Sequence, residues 1–155
     1  MQWIETLLNK PEYKKELGAA KETTFASCNM QINQAFMFNG DVSKNTAALI
    51  PPLLEDGIRV LIYAGEMDFM CNWMGNLAWT LDLEWSGKAD FNLAEAKDFV
   101  VPGDKDASGE VRSVGKGAGQ FAFLKVFEAG HMVPTDQPEA SLEFYNRWLA
   151  NKPLA

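Results

Sequence analysis

An α/β fold is predicted by two apolar runs and by the helix-spaced apolar residues downstream of each. Residues 58–65, IRVLIYAG, and 120–130, QFAFLKVFEAG, are near-continuous β-branched, aliphatic and aromatic stretches that close on Gly65 and Gly130. Such runs suit strands of a parallel sheet covered by helices on both faces. Each leads through a loop into apolar residues at helical spacing, in 72–83 and in 134–152. Size supports the same class. The chain has 155 residues, 47% of them hydrophobic, which is enough for one domain burying roughly 70% of its unfolded surface and too apolar for a disordered chain.

Taken in order, Trp3, Ile4, Leu7 and Leu8 fall at helical spacing in QWIETLL. Pro11 opens a second short helix ending near Gly18, with Tyr13 and Leu17 four apart on one face. Residues 19–26 read as a connection. NMQINQAFMF (29–38) predicts a short amphipathic helix stopped by Asn39-Gly40. Thr46 to Glu55 is a helical run interrupted by Pro51-Pro52, hence kinked or late in starting, and Gly57 ends it. The first strand spans 58–65 and should be buried on both faces; a helix comes next, from Asn72 to Leu83. Residues 84–120 are rich in Gly, Asp and Lys, with short strands expected at 97–101 and 110–114 around the turn PGDKDASGE. After the second strong strand, Asp136 is positioned to N-cap a last helix with Pro138 in its first turn. Leu142, Tyr145, Trp148 and Leu149 are expected on one face of that helix. Neither an internal repeat nor a low-complexity segment occurs.

Charge and cysteine content exclude several functions. The net charge is −7, and no Lys/Arg cluster supplies the basic face that nucleic acid or an anionic membrane requires. No apolar stretch reaches the roughly 18 residues of a membrane span. MQWIETLLNK has no basic start, long apolar run or small-residue cleavage site, and no Asn-x-Ser/Thr acceptor is present. The two cysteines, Cys28 in polar FASCNMQ and Cys71 in DFMCNWM, are too few for a disulfide scaffold and lack zinc-site spacing.

His131 is the only histidine. It lies just past the second strong strand, as Asp68 lies just past the first. In open α/β sheets, functional groups sit outside the carboxyl ends of the strands, so the two are natural partners despite their separation in sequence. An imidazole with a carboxylate on one nitrogen is held in one tautomer and becomes a general base for a hydroxyl or thiol. On spacing alone, the same residues also fit a loop cap and a satisfied histidine. The order acid, then histidine, downstream of a nucleophile is that of the α/β-hydrolases.

The wording of the two motifs is more specific. YAGEMDFMCNWMGN contains Tyr63, Gly65, Asp68, Cys71, Asn72, Gly75 and Asn76, and GHMVPTDQP contains Gly130, His131, Met132, Val133, Pro134, Asp136 and Pro138. Together with ASCN at 26–29 and FNGD at 38–41, they resemble the serine carboxypeptidases, the family of carboxypeptidase Y, from about Lys10 onward. The resemblance implies the carboxy-terminal portion of an α/β-hydrolase fold, a mixed sheet flanked by helices. Residues 1–44 would be the end of the cap region and its connection, and 45–155 the end of the core. It implies Asp68 as the catalytic acid and His131 as the general base. Met132 would line the pocket for the leaving residue, and Met70, Cys71 and Val42 part of the pocket for the penultimate side chain. Cys71 would be a buried free thiol near the centre, and Cys28 would bridge to the amino-terminal half. No cofactor and no metal are implied. The implied substrate is a peptide with a free carboxyl terminus, and the implied compartment is lysosomal, vacuolar or secretory. Relatives on the same scaffold act as acyltransferases or hydroxynitrile lyases, and a non-catalytic binding fragment is a further alternative.

The nucleophile belongs in G-x-S-x-G. Ser27, Ser43, Ser86, Ser108, Ser113 and Ser141 are the serines of this chain, and none has that setting. On the resemblance, Met1 falls at an interior point of the family's chain. The expectation is therefore a part of such an enzyme, inactive as a peptidase by itself and partnered by the amino-terminal half.

Overall fold

The computed structural model describes residues 2–155, in two compact units, one ending at Asn45 and one spanning Thr46–Ala155. The first contains α1 (Gln2–Leu8), α2 (Pro11–Glu16), α3 (Met30–Phe38) and a 3-10 turn at Asp41–Ser43. Asn29 caps α3, its Oδ1 accepting from the amides of Gln31 and Ile32 at 3.1 and 3.2 Å. Polar tethers hold the connection to α1. Asn9 exchanges two 2.8 Å hydrogen bonds with the backbone of Phe25, and the Ser27 amide donates to Glu5 Oε1 at 2.7 Å. None of the described residues of this unit is buried.

The second unit is a three-layer α/β structure. A 3-10 turn at Thr46–Leu49 leads into α4 (Ile50–Glu55), with Pro51 and Pro52 in its first turn. The proline pair thus marks a late helix start, where a missing N–H costs nothing. Then come β1 (Val60–Gly65), α5 (Trp73–Asp82), α6 (Lys88–Leu93), β2 (Lys97–Phe99), β3 (Gly109–Val114), β4 (Phe121–Val126), α7 (Val133–Asp136) and α8 (Pro138–Leu149). The sheet order is β1-β4-β3-β2. β1 pairs with β4 in parallel, Val60 opposite Phe121 through Gly65 opposite Val126, and β4–β3 and β3–β2 are antiparallel. The sheet is therefore mixed.

β4 runs through the middle, and its alternation builds both faces. Ala122, Leu124 and Val126 pack with Phe99, Val111, Val133, Ala140 and Phe144 beneath α8, whereas Phe121 and Phe123 pack with Leu54, Leu83 and Phe91 beneath α4, α5 and α6. Each fully buried Phe or Leu contributes about 1.5–3 kcal/mol.

Three expectations need correction, and one helix is additional to them. β1 is not buried on both faces: it is an edge strand in this sheet, and Tyr63 remains 45% exposed and Ile58 50%. α6 was not foreseen, because KADFNL shows a single strong anchor, Phe91. That ring stacks on Phe121 with centroids 4.7 Å apart, and Arg112 of β3 donates to the carbonyls of Phe91, Asn92 and Ala94. Asp136 does not cap α8. Gln137 occupies that position without a side-chain cap, and Asp136 ends α7. Finally, the α8 face carrying Leu142, Tyr145 and Leu149 is exposed to solvent, while the helix buries Ala140, Ser141 and Phe144 and packs Trp148 against the core. Its apolar residues lie on two faces, and the small residues let the backbone approach the sheet closely.

The ends of β1 and β4 continue together past the sheet. Glu66 N–H donates to Val126 O at 2.8 Å and Met67 N–H to Ala129 O at 2.9 Å. The approach requires glycine, since a Cβ at Gly65 would lie 2.3 Å from the carbonyl oxygens of both Ala129 and Gly130. Gly65→Ala is expected to force the two segments apart and cost about 1–3 kcal/mol, as overpacking does. Urea denaturation monitored by tryptophan fluorescence measures this, and an unchanged midpoint would contradict the close approach.

Candidate active site

Two loops leave the carboxyl end of the sheet side by side. The first, from β1 to α5, carries Asp68; the second, from β4 to α7, carries His131. His131 Nδ1 stands 2.8 Å from Asp68 Oδ2 across 63 residues of sequence. An ionised carboxylate only accepts, so Nδ1 carries the proton and donates it. The Asp68 side chain is 7% exposed, that of His131 64%. Nε2 makes no hydrogen bond among the described residues.

Asp68 is held from its other side too. Its Oδ1 accepts from the amides of Met70 and Cys71 at 2.9 and 3.0 Å. These contacts keep its carboxyl below the ordinary aspartate range. The hydrogen bond from His131 contributes most and the Cys71 amide next, with desolvation working in the opposite sense.

The other motif residues build the loops. Asn72 caps α5, its Oδ1 accepting from Gly75 N–H at 2.8 Å. Asn76 Nδ2 donates to the carbonyls of Cys71 and Asn72 at 2.9 and 3.1 Å, and its Oδ1 accepts from Trp79 Nε1 at 3.0 Å. Cys71, whose amide holds Asp68, is thereby fastened to the next helix through its carbonyl. In the second loop, Val133 is buried in the core, and Asp136 Oδ2 accepts from Gly130 N–H at 2.8 Å. The sequence includes Asn76 and Asp136 in its motifs without revealing these contacts. Their spacing to Cys71 and Gly130, 5 and 6 residues, is the only local signal.

Cys71 is exposed rather than buried, as is Cys28, and both are free. The neighbours of Cys71, Phe69 and Met70, are exposed as well. Met70 and Met132 are 81% and 62% exposed, on the two loops that carry Asp68 and His131. Val42 is exposed in the 3-10 turn of the first unit. Asp68, Cys71 and His131 each offer one ligand atom within 4.8 Å of the others, a donor set of the kind that zinc takes. Here Nδ1 and both carboxylate oxygens are already engaged within the protein, so the arrangement favours an acid–base pair.

Comparison with known proteins shows which family the chain resembles. The family profile described as serine carboxypeptidase matches residues 1–151. The Carboxypeptidase Y homolog A proteins of Leptosphaeria maculans and Botryotinia fuckeliana are 49% and 51% identical over 97% and 95% of this chain, and the chain covers 26% of each. It thus spans about a quarter of the length of the curated relatives it matches. Among solved structures, Kex1(Δ)p, a prohormone-processing carboxypeptidase from Saccharomyces cerevisiae, superposes with a TM-score of 0.70 at 23% identity, covering 97% of this chain and 30% of that one. The shared fold is that of the α/β-hydrolases.

The geometry has measurable consequences for acid stability and thiol reactivity. Because the folded-state pKa of Asp68 is depressed, its contribution to stability is complete above the usual aspartate value of about 3.9 and is lost as pH falls through and below it. Asp68→Asn should therefore flatten that part of the acid limb of a stability–pH curve, and an identical limb in wild type and variant would contradict it. The exposure of both thiols predicts that Ellman's reagent titrates Cys28 and Cys71 in the native chain without denaturant.

Proposed function

Since the chain belongs to the serine carboxypeptidase family, we propose that it supplies the acid and the general base of an enzyme that removes residues from the carboxyl ends of peptides. The observation that carries this reading is the 2.8 Å contact between His131 Nδ1 and Asp68 Oδ2, with the ring exposed. Nε2 is thereby left as the basic nitrogen.

A serine hydroxyl from outside these 155 residues attacks the carbonyl carbon of the last peptide bond as Nε2 takes its proton. The imidazolium is stabilised by Asp68 through Nδ1–H. It then protonates the leaving amine, the C–N bond breaks, and an acyl-enzyme remains. Water attacks the ester with Nε2 again as base, and the proton returns to the serine. In this scheme Met132 contacts the leaving residue, and Met70 and Cys71 shape the site for the penultimate side chain. Cys28 bridges to the amino-terminal part of the same carboxypeptidase. Residues 1–44 end the cap region, and 45–155 complete the core. A lysosomal, vacuolar or secretory setting is part of this proposal, as the family resemblance implies.

Two features support a partner segment that provides the nucleophile and further cover. No serine here lies in G-x-S-x-G, and α3 exposes Met30, Ile32, Phe36, Met37 and Phe38. The chain alone is expected to remain unlabelled by a fluorophosphonate, and robust labelling would overturn the need for an outside serine. Co-expression with the amino-terminal part of the Botryotinia fuckeliana relative should restore hydrolysis of a blocked dipeptide with a free carboxyl end. In that complex His131→Ala should abolish turnover and Asp68→Asn should lower kcat by about 10⁴-fold. Turnover indifferent to both substitutions would sink the reading, and stable association without turnover would favour a binding role.

A further inference from the structure

We propose that Asp136 is a positioning residue for His131, acting through the Gly130 amide. The inference rests on the acid–base pair described above. Asp136 Oδ2 accepts from Gly130 N–H at 2.8 Å, closing a loop in which His131 is the next residue. Three other restraints act on the same segment: Met67 N–H on Ala129 O at 2.9 Å before it, burial of Val133 after it, and the Met132 carbonyl accepting from Thr135 and Asp136 N–H at 2.8 and 3.1 Å. None of these fixes the peptide between Ala129 and Gly130 from the side of α7. The carboxylate does, and a side chain on Gly130 would meet it at 3.3 Å.

The restraint matters because the ring itself is weakly held. The His131 side chain is 64% exposed and makes one hydrogen bond among the described residues, that to Asp68. An exposed side chain with one contact keeps its rotamer only if its backbone is fixed. Asp136 is exposed, ends α7 and directly precedes Gln137, the N-cap of α8, where a carboxylate also complements the positive end of that helix. Its hydrogen bond with Gly130 is a separate contact, and Asp136→Asn keeps the acceptor while removing the charge. The carboxylate donates no proton and touches no reacting atom in this arrangement.

The test exploits the single histidine. Long-range proton–nitrogen NMR correlations from the carbon-bound ring protons report which ring nitrogen is protonated, with no need to observe an exchangeable proton. In the wild-type chain the neutral ring should carry its proton on Nδ1, against the preference of free imidazole for Nε2–H. Asp136→Ala should return the population toward Nε2–H, whereas Asp136→Asn, which keeps an acceptor oxygen, should retain the Nδ1–H form. Amide spectra of both variants verify that the sheet is intact. An Asp136→Ala chain with the wild-type tautomer would overturn the proposal. So would an Asp136→Asn chain as perturbed as the alanine variant, since charge rather than the hydrogen bond would then be at work. A wild-type ring in the Nε2–H form would overturn the pair itself, and this proposal with it.

Discussion

The site depends on one close backbone approach, that of the end of β1 to the turn just beyond β4. The strands pair in parallel up to Gly65 opposite Val126, and their extensions stay hydrogen-bonded through Glu66 and Met67. Because Gly65 has no Cβ, the carbonyls of Ala129 and Gly130 can lie against it. Two loops distant in sequence are thereby brought to a separation that a carboxylate and an imidazole can span. Neither side chain could create that proximity: a hydrogen bond of this kind contributes far less than the ordering entropy of two free loops.

Backbone donors then aim the carboxylate. Oδ1 of Asp68 is occupied by two consecutive amides, so Oδ2 is the oxygen left for His131. Asn76 ties the Cys71 carbonyl to α5 and so holds one of those amides in place. Asn72 and Gly75 start that helix at the right residue. The motif is thus largely a description of how to hold a loop, with Asp68 the residue that it turns toward His131.

The same division of labour decides which features are legible in the sequence. β4 is legible because it is buried on both faces, so every position is apolar except Lys125. The pairing of Asp68 with His131 is legible from where active groups sit in such sheets, and the motifs name the family. β1 carries the same signal but borders only β4, since the residues of a strand do not report how many neighbours it has. α6 is hidden because Arg112, far along the chain, satisfies its terminal carbonyls. The orientation of α8 is ambiguous because its apolar residues lie on two sides, and only contact with the sheet decides between them. Burial of Cys71 is implied by the family resemblance and not by its neighbours, and in this chain Cys71 is exposed, as is Met70 beside it.

The source of the acidity of Asp68 bears on how such a pair stays oriented. Its carboxyl is held low by hydrogen bonds, chiefly from His131 and the Cys71 amide, against the opposing effect of desolvation. A carboxylate kept ionised only by a cationic imidazole would lose that support whenever the ring gives up its proton during turnover. Here the amides of Met70 and Cys71 remain in place through both states of the ring, because backbone amides do not titrate. Two backbone bonds to Oδ1 are thus independent of the ring's protonation, while the ring's own hydrogen bond makes the larger contribution to the low pKa. The orientation of the carboxylate therefore does not depend on the ring alone.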